Sequence, residues 1–364
     1  MAVSGKRDDF IVHQEYPLNA EPTSAALDGR PLTPLDTFYC RNHGPIQHAD
    51  PDRWRLQVDG LVDHPLSLSL PELRDRFPQR TVVATVQCAG NRRAELAAVR
   101  PIPGQVPWGA AAISTARWTG VTLADVLARA GLQPGAEHVA FEEADVASRP
   151  SESPVFGGSI PVAKATAGEV LLAWRMNDEA LPDVHGGPLR VVVPGYIGAR
   201  SVKWLQRVTA QARPSDNFYQ AKDYILLPDD ADPAEAARGR GLRLGVAALN
   251  TAILRPEEGQ TVPAGPVQVS GYATAGDDRG VARVDVSIDG GRHWQHADLD
   301  TAAEPWAWRL WRLTVQLPPG PAQIVARAWD TSASTQPERV EHVWNPLGYM
   351  NTAWSRVHVT CATV

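Results

Sequence analysis

The strongest chemical signal in the sequence is a lone thiol followed by two arginines. The run over residues 85–93 reads TVQCAGNRR, with Cys88 just ahead of Arg92 and Arg93. Thiolate is the form of cysteine that binds metals, and nearby positive charge favours it. Planar guanidinium groups suit oxyanions. The run therefore predicts a soft ligand that faces an anion, against the alternative of a buried apolar cysteine with two solvated arginines.

Three strings, in this order, resemble the cofactor segments of the sulfite oxidase family of molybdenum enzymes. The first is FYCRNHGP over residues 38–45, and the second is the run around Cys88. The third joins DVHGGPLRVVVPG, residues 183–195, to GARSVKW, residues 198–204. In that family one cysteine binds molybdenum beside the two sulfurs of a pyranopterin dithiolene. The resemblance implies molybdopterin and molybdenum as cofactors, Cys88 as the metal ligand, and oxidation of sulfite to sulfate.

The resemblance also assigns roles to residues around the metal. The catalytic group that would bind the oxyanion comprises Arg41, Arg93, Tyr224 and Trp108. The group that would hold the pterin and its phosphate comprises Tyr39, Asn42, His43, Asp145, His185, Arg190, Ser201, Val202 and Lys203. Converging arginines make charge-assisted hydrogen bonds, each worth about 1.5–3 kcal/mol in a partly desolvated pocket. Loss of either arginine should therefore weaken substrate binding.

One position departs from the family pattern. Sulfite oxidases offer a further arginine to the anion from a Trp-Asn-Leu-Arg-Gly string, whereas this chain has Trp-Asn-Pro-Leu-Gly over residues 344–348. Leu347 thus removes a positive charge, as in the eukaryotic nitrate reductases, which share this domain pair. Tyr224 favours sulfite, because nitrate reductases lack that tyrosine. A molybdenum oxidoreductase for another oxyanion or a sulfoxide, similar to nitrate reductase, stays open as the alternative.

The composition narrows the class of protein. A chain of 364 residues, 43% hydrophobic and 21% charged, is long enough for two globular domains. The net charge of -6 gives no support for nucleic-acid binding. Cys40, Cys88 and Cys361 form neither a paired disulfide framework nor a zinc spacing. The N-terminus lacks the apolar run of a secretory signal, and no stretch approaches the ~20 apolar residues of a membrane span. We expect a cytoplasmic protein without nucleic-acid or membrane partners.

The elements that must position these residues fall into an arm and two domains. Residues 1–35 are polar and contain prolines, which predicts an extended arm. Residues 36–240 mix short strands and helices and predict the molybdopterin-binding oxidoreductase domain, a mixed α/β unit. Residues 241–364 alternate apolar and polar positions between turns such as Asp289-Gly-Gly291, which predicts an immunoglobulin-like β-sandwich. That half resembles the family's dimerisation domain and implies a homodimer. The fold class is therefore α+β.

Local patterns place several elements of the first domain. Ser69-Leu-Pro-Glu72 has capping-box spacing, and Thr122 begins a second helix that Gly131 would close. The spacing of apolar residues predicts a third helix over residues 166–176. Buried β-strands are predicted over residues 81–86 and 190–193. The implied ligands then lie where strands run out into loops, which is where a rigid scaffold usually presents functional groups.

Two further alternatives belong to other classes of protein. A structural or adhesive β-sandwich protein could carry a first domain that has lost its cofactor, but the intact cofactor strings disfavour it. A cysteine hydrolase would need a base beside Cys88, which nothing in the sequence indicates. The leading interpretation is an enzyme that transfers electrons from sulfite, a small anion, to an external acceptor such as a c-type cytochrome or oxygen.

Overall fold

The computed structural model describes residues 5–50, 52–144, 154–301 and 304–363, so Asp145 lies outside the described residues. The α-helices in these ranges are α1 (Ser24–Leu27), α2 (Leu70–Arg76), α3 (Arg93–Val99), α4 (Leu123–Ala130), α5 (Val162–Ala165) and α6 (Ala234–Ala237). Short 3-10 helices cover Asp183–His185, Gly198–Arg200 and Val340–Val343, and a π-helical turn covers Tyr219–Asp223. None of the helices in the described part of the chain is both long and apolar enough to cross a membrane.

Strands make up most of the remaining regular structure. In the first half they are β1 (Ile11–Gln14), β2 (Asn19–Glu21), β3 (Arg55–Gly60), β4 (Leu66–Ser69), β5 (Gln79–Gln87), β6 (Ile113–Thr122), β7 (His138–Glu143), β8 (Gly157–Pro161), β9 (Leu171–Met176), β10 (Glu179–Ala180), β11 (Arg190–Val192), β12 (Leu205–Gln211), β13 (Ile225–Leu226) and β14 (Leu242–Arg243). In the second half they are β15 (Asn250–Arg255), β16 (Thr261–Pro263), β17 (Gly265–Thr274), β18 (Val281–Ser287), β19 (Gln295–His296), β20 (Asp298–Leu299), β21 (Arg309–Leu317), β22 (Gly320–Asp330) and β23 (Ser355–Ala362).

Two sheets form the frame of the first domain. One has the strand order β4-β3-β12-β7-β8, and the other has β10-β9-β6-β5 with β11 paired to β9. Helices α2 and α4 contact strands of both sheets, since each packs on β6 and also on β4 or β3. The apolar face of α4 supplies Leu123, Val126 and Leu127, all fully buried, to the core between the sheets. The opposite side of β5 and β6 faces the segment around residue 39 and a second apolar cluster.

The capping signals in the sequence correctly place two helices. The Ser69 hydroxyl accepts a hydrogen bond from the Glu72 N–H, and the Glu72 carboxylate accepts one from the Ser69 N–H, which completes the capping box of α2. The Thr122 hydroxyl caps α4, and Gly131 ends that helix in the left-handed region with φ +73°. The predicted strands are also present, as β5 and β11.

The third predicted helix is wrong. Residues 171–176 form strand β9, which pairs with β6 on one side and with β11 on the other. The run Leu-Leu-Ala-Trp-Arg-Met buries every side chain except that of Arg175, so its apolar residues do not distinguish a buried strand from a buried helix. Pairing with two neighbours supplies the backbone hydrogen bonds that decide between them. Only the single turn of α5 is helical in this region.

The N-terminal arm carries more structure than its composition predicts. Strands β1 and β2 pair as a hairpin, and α1 follows them. Ala20 also exchanges backbone hydrogen bonds with Cys40, which fixes the hairpin next to the first cofactor string. The carboxylate of Glu21 accepts hydrogen bonds from the backbone N–H groups of Gly109 and Ala111. Residues 5–35 are thereby part of the wall of the first domain.

The second domain is the predicted immunoglobulin-like sandwich. One sheet has the order β15-β17-β21-β20, and the other has β16-β23-β22-β18-β19. Alternating side chains such as Val284 and Val286 of β18 point into a core that they share with Ile253 and Val269 of the other sheet. Together with the mixed first domain this confirms the α+β fold class.

Arg92 holds the two domains together. It is fully buried and has a left-handed backbone, with φ 64°, which turns its side chain toward the second domain. Its Nη1 donates to Asn250 Oδ1 at 2.9 Å and to the carbonyl oxygens of Thr251 and Ala353 at 3.0 and 2.8 Å. Its Nε and Nη2 pair with the carboxylate of Glu95 at 2.8 and 2.7 Å. The first of the two arginines after Cys88 therefore has a structural role at the domain interface.

Candidate active site

Most of the predicted site residues line one cavity in the first domain. The cavity has an empty volume of about 680 Å³. The predicted site residues that line it are Tyr39, Arg41, Asn42, His43, Cys88, His185, Arg190, Ser201, Lys203 and Tyr224. They come from the segment after the arm, the loop that follows β5, and the residue after the π-helical turn. The third string contributes residues of its first 3-10 helix, of β11 and of the segment after its second 3-10 helix. The three strings that are distant in sequence thus meet in space.

Cys88 lies where β5 runs out into this cavity. Its backbone N–H donates to the Ala112 carbonyl at 2.9 Å, which fixes the loop against the start of β6. Among the residues that the structure describes, the Sγ accepts only a long hydrogen bond, from the Gly90 N–H at 3.4 Å. A Cβ at Gly90 would lie 2.5 Å from the guanidinium of Arg93, so a larger residue there would require that side chain to shift. The thiol packs among apolar residues but also faces the cavity, which leaves it available as a ligand.

One side of the cavity carries buried positive charge. Arg190 donates from Nη1 to the His185 carbonyl at 2.9 Å and from Nη2 to the Ser201 carbonyl at 2.8 Å. Burial lowers the pKa of Arg190 to about 10. Burial, together with the charge of Arg190, lowers the pKa of Lys203 to about 7. Both shifts mean that these cations lack enough anionic charge around them in the protein itself.

These residues fit an anionic cofactor. The Nε of Arg190 is buried and has no hydrogen-bond partner among the described residues. A buried donor without a partner is costly, and a phosphate or carbonyl oxygen in the cavity would satisfy it. A phosphate beside Lys203 would also stabilise the protonated ammonium group. Cys88 offers a thiolate to a soft metal at the other side of the same cavity. The donor set therefore matches a metal carried by a phosphorylated organic group.

Lys6 is a site residue that the sequence reasoning missed. Its ammonium group donates to the carbonyl oxygens of Leu35 and Phe38 and to His185 Nε2, the last two at 2.8 Å. Three partners use all three ammonium hydrogens, so Nε2 must be the acceptor and the imidazole proton lies on Nδ1. Burial, then Lys6 and Lys203, hold the pKa of His185 well below its usual value. A lysine in a polar arm resembles a solvated charge, so no local signal identifies it.

Replacing Lys6 by methionine should weaken cofactor binding. Without the ammonium group the tautomer of His185 is no longer fixed. Mutation of a residue that orients a ligand side chain by a hydrogen bond typically lowers the affinity for the bound group by about 10- to 100-fold. The measurement is the molybdopterin and molybdenum content per chain after dialysis. Arg7→Met is the matched control, because Arg7 is adjacent, cationic and paired at the surface with Asp9. Equal cofactor retention in both variants would remove Lys6 from the site.

The cavity wall also presents a guanidinium, an imidazole and a phenol. Arg41 donates from Nη2 to His43 Nδ1 at 3.2 Å, and His43 Nε2 lies 2.8 Å from the Tyr224 hydroxyl. Burial, followed by the charges of Arg41 and Lys203, holds the pKa of His43 well below its usual value, so the imidazole is neutral. An arginine cannot accept a hydrogen bond, so Nδ1 is the acceptor and Nε2–H donates to the phenol oxygen. The Tyr224 O–H is then free to donate into the cavity.

Arg41 itself retains donors for an anion. Its Nη1 donates to the Asn42 carbonyl at 2.5 Å and to Asn19 Oδ1 at 3.3 Å, and its Nη2 binds His43. A guanidinium has five N–H donors, so Nε–H and one Nη2 hydrogen have no partner among the described residues. Arg41 therefore lies in the cavity wall with a positive charge and two N–H donors that can bind an anion.

Three of the predicted residues lie elsewhere. Arg93 is buried behind the cavity wall, where Nε donates to the Gly348 carbonyl at 3.0 Å and Nη1 to the Val106 carbonyl at 2.9 Å. Trp108 is fully buried beside Tyr39, at a ring distance of 6.3 Å, and its Nε1 has no partner among the described residues. Val202 belongs to the core between the sheets. Their roles at the site, like that of Asp145, stay predictions.

A buried thiol and uncompensated cations around one cavity define a site for an anionic metal cofactor. Residues 43–219 match the family model of the oxidoreductase molybdopterin binding domain, and residues 245–362 match that of the Mo-co oxidoreductase dimerisation domain. The protein is thus a molybdopterin-dependent oxidoreductase with a molybdenum centre.

Similarity to known proteins extends over nearly the whole chain. Sulfite oxidase of Gallus gallus is 45% identical over 355 residues, which cover 95% of this chain and 76% of that protein. Inducible nitrate reductase [NADH] 2 of Glycine max is 37% identical, over 94% of this chain and 41% of that protein. The sulfane dehydrogenase SoxCD from Paracoccus pantotrophus superposes with a TM-score of 0.80 at 28% identity, over 94% of this chain and 84% of that chain. The chain belongs to the sulfite oxidase family.

Proposed function

We propose that the protein oxidises sulfite to sulfate and passes the two electrons to an external acceptor. The observation that carries this proposal is that the Cys88 thiol, the free donors of Arg41 and the free O–H of Tyr224 meet in one cavity. Sulfite oxidase of Gallus gallus, the relative compared above, supports the choice of substrate.

The residues of this chain have separate tasks in that reaction. Cys88 would bind molybdenum, while His185, Arg190 and Lys203 would hold the anionic part of the cofactor. When bound, molybdopterin supplies the metal centre for oxygen-atom transfer and two-electron redox chemistry. Arg41 binds the substrate oxygens with charge-assisted hydrogen bonds. Tyr224 donates its O–H toward the same anion, because the Nε2–H of the neutral His43 already occupies its oxygen.

Steady-state assays on the molybdenum-loaded protein test the proposal. Sulfite should reduce an artificial electron acceptor with a turnover proportional to the molybdenum content. Reduced dyes with nitrate, chlorate or sulfoxides test the alternative of another oxyanion. That alternative has one specific observation in its favour, since Leu347 packs against the apolar cluster that contains Tyr224, at the position where the family pattern has an arginine. Turnover with nitrate and none with sulfite would contradict the proposal.

Arg41→Met should raise the KM for sulfite. The substitution removes at least one charge-assisted hydrogen bond, which corresponds to roughly a 10- to 150-fold weaker complex. The KM is measured on protein matched for molybdenum content. Arg53→Met is the control, because the Arg53 side chain is 90% exposed. An unchanged KM in Arg41→Met would place the anion elsewhere.

Acceptor, assembly and location are also proposed. We infer a homodimer formed through the second domain, because residues 245–362 match a dimerisation domain. The acceptor would be a c-type cytochrome or oxygen, and the cytoplasmic location predicted from the sequence stays a prediction.

A further inference from the structure

A tyrosine of the second domain contacts Tyr224, which the proposed function places at the anion, and Arg93, which the sequence predicts there. Tyr349 lies two residues after Leu347 in the loop before β23, and it is 3% exposed. Its ring stacks on that of Tyr224, with centroids 5.3 Å apart and an interplanar angle of 25°. The guanidinium carbon of Arg93 lies 4.9 Å from the centroid of the Tyr349 ring. One aromatic ring therefore touches both Tyr224, which lines the cavity, and Arg93, which lies behind the cavity wall.

Hydrogen bonds fix the backbone of the loop around Tyr349, so the position of its ring is defined. Asn345 accepts a hydrogen bond from the Tyr349 N–H at 3.1 Å and donates one to the Tyr349 carbonyl at 2.7 Å. The next residue, Met350, donates its N–H to the carbonyl of Ala89 at 2.8 Å, directly beside Cys88. The loop is thus held by hydrogen bonds within itself and by one to the segment that carries the thiol.

Arg93 depends on this loop for its place. Its Nε donates to the Gly348 carbonyl, and its guanidinium lies over the adjacent Tyr349 ring. Gly348 has φ +64°, and a Cβ there would lie 2.7 Å from Arg93 Cγ, so this close approach requires glycine. A cation over an aromatic face is attracted by the quadrupole of the ring. The arginine is therefore clamped between a carbonyl oxygen and a ring.

We propose that Tyr349 is a positioning residue that sets the affinity of the site for a small oxyanion by holding Arg93 and Tyr224 in place through its ring. In this chain Leu347 brings no charge to the pocket, so the second domain acts on the anion through aromatic packing. The inference rests on the proposed function, because Arg93 and Tyr224 matter to it only as anion-site residues.

The test compares Tyr349→Met, which removes the ring but fills much of its volume, with Tyr349→Phe, which keeps the ring. The KM for sulfite in Tyr349→Met should rise roughly 5- to 50-fold, because it loses a stacked pair and a cation–π contact. Turnover per molybdenum should change less than KM, and Tyr349→Phe should raise KM less than Tyr349→Met, because it keeps the ring and loses only the hydrogen bond of the hydroxyl to the Asp223 carboxyl. The Kd for sulfate, measured by calorimetry on the holoenzyme, should rise with KM.

Controls separate this role from a general structural one. Tyr16→Met is the matched substitution at an exposed tyrosine, and it should leave both KM and the sulfate Kd unchanged. An unchanged KM and sulfate Kd in Tyr349→Met would overturn the inference. Equal impairment of Tyr349→Phe would also overturn it, because the hydroxyl rather than the ring would then matter. Failure of the proposed function has a different signature, since the unmodified protein would then not oxidise sulfite.

Discussion

Cys88→Ser is expected to lose molybdenum-dependent sulfite oxidation while the protein stays folded. A serine hydroxyl is a hard, protonated donor and a poor substitute for a thiolate on a soft metal. We expect the rate to fall by at least about 1,000-fold, which corresponds to about 4 kcal/mol of lost transition-state stabilisation. The fold should tolerate the change, because within the described part of the chain the sulfur accepts only the long hydrogen bond from Gly90.

The measurement combines turnover, molybdenum content and thermal unfolding of the same preparation. Cys361→Ser is the matched control, because Cys361 is a buried thiol in the core of the second domain, far in the fold from the cavity. That variant should lose about 1 kcal/mol of stability, as core substitutions commonly do, and keep its activity per folded chain. Full activity in Cys88→Ser would refute its role as metal ligand.

Arg92→Met is expected to destabilise the protein by about 3–5 kcal/mol, the range observed when one partner of a buried ionic network is removed. The guanidinium is fully buried; besides Glu95 of the first domain it satisfies four acceptors of the second domain, on Asn250, Thr251, Ala353 and Trp354. Its loss leaves those acceptors buried without a donor, and each such group is costly. The domain interface should loosen before either core unfolds, because Arg92 links the cores and belongs to neither.

Denaturant unfolding followed by tryptophan fluorescence measures this effect. Arg53→Met provides the exposed control and should change the unfolding free energy by less than about 0.5 kcal/mol. Arg92→Lys should recover only part of the loss, because an ammonium group cannot reach all the acceptors that the planar fork reaches. A loss in Arg92→Met no larger than that of the control would contradict the assignment of Arg92 to the interface.

Local sequence signals predicted those parts of the fold that depend on interactions between residues close in the sequence. The capping box at Ser69 and the glycine at position 131 fix helix ends through hydrogen bonds within one turn, and both are present. The alternation that predicts the sandwich also held, because one face of each strand must be buried. The helix predicted over residues 166–176 was wrong, because a short apolar run does not show that two distant strands will pair with it.

The same contrast applies to the candidate site. Most of the residues that line the cavity belong to the three strings, because recognition of a cofactor requires particular side-chain types in particular loops. Neighbours in sequence nevertheless separate in space: Arg92 turns to the second domain, whereas Arg93 packs on Tyr349. No pattern could distinguish them, because a left-handed residue at position 92 sets their directions. Lys6 was missed for a related reason, since its partner His185 is distant in the chain.

The sequence by itself determined the class of chemistry, since a thiol, arginines and histidines in ordered strings specify a soft metal and an anion wherever they lie. It also determined the two-domain division, through the change from mixed to alternating patterns. Only the tertiary structure decided which cations face the cavity, which bridge the domains, and which tautomer each buried histidine adopts. Those outcomes depend on hydrogen bonds and packing between residues far apart in the chain, such as Lys6 with His185, and local patterns do not encode them.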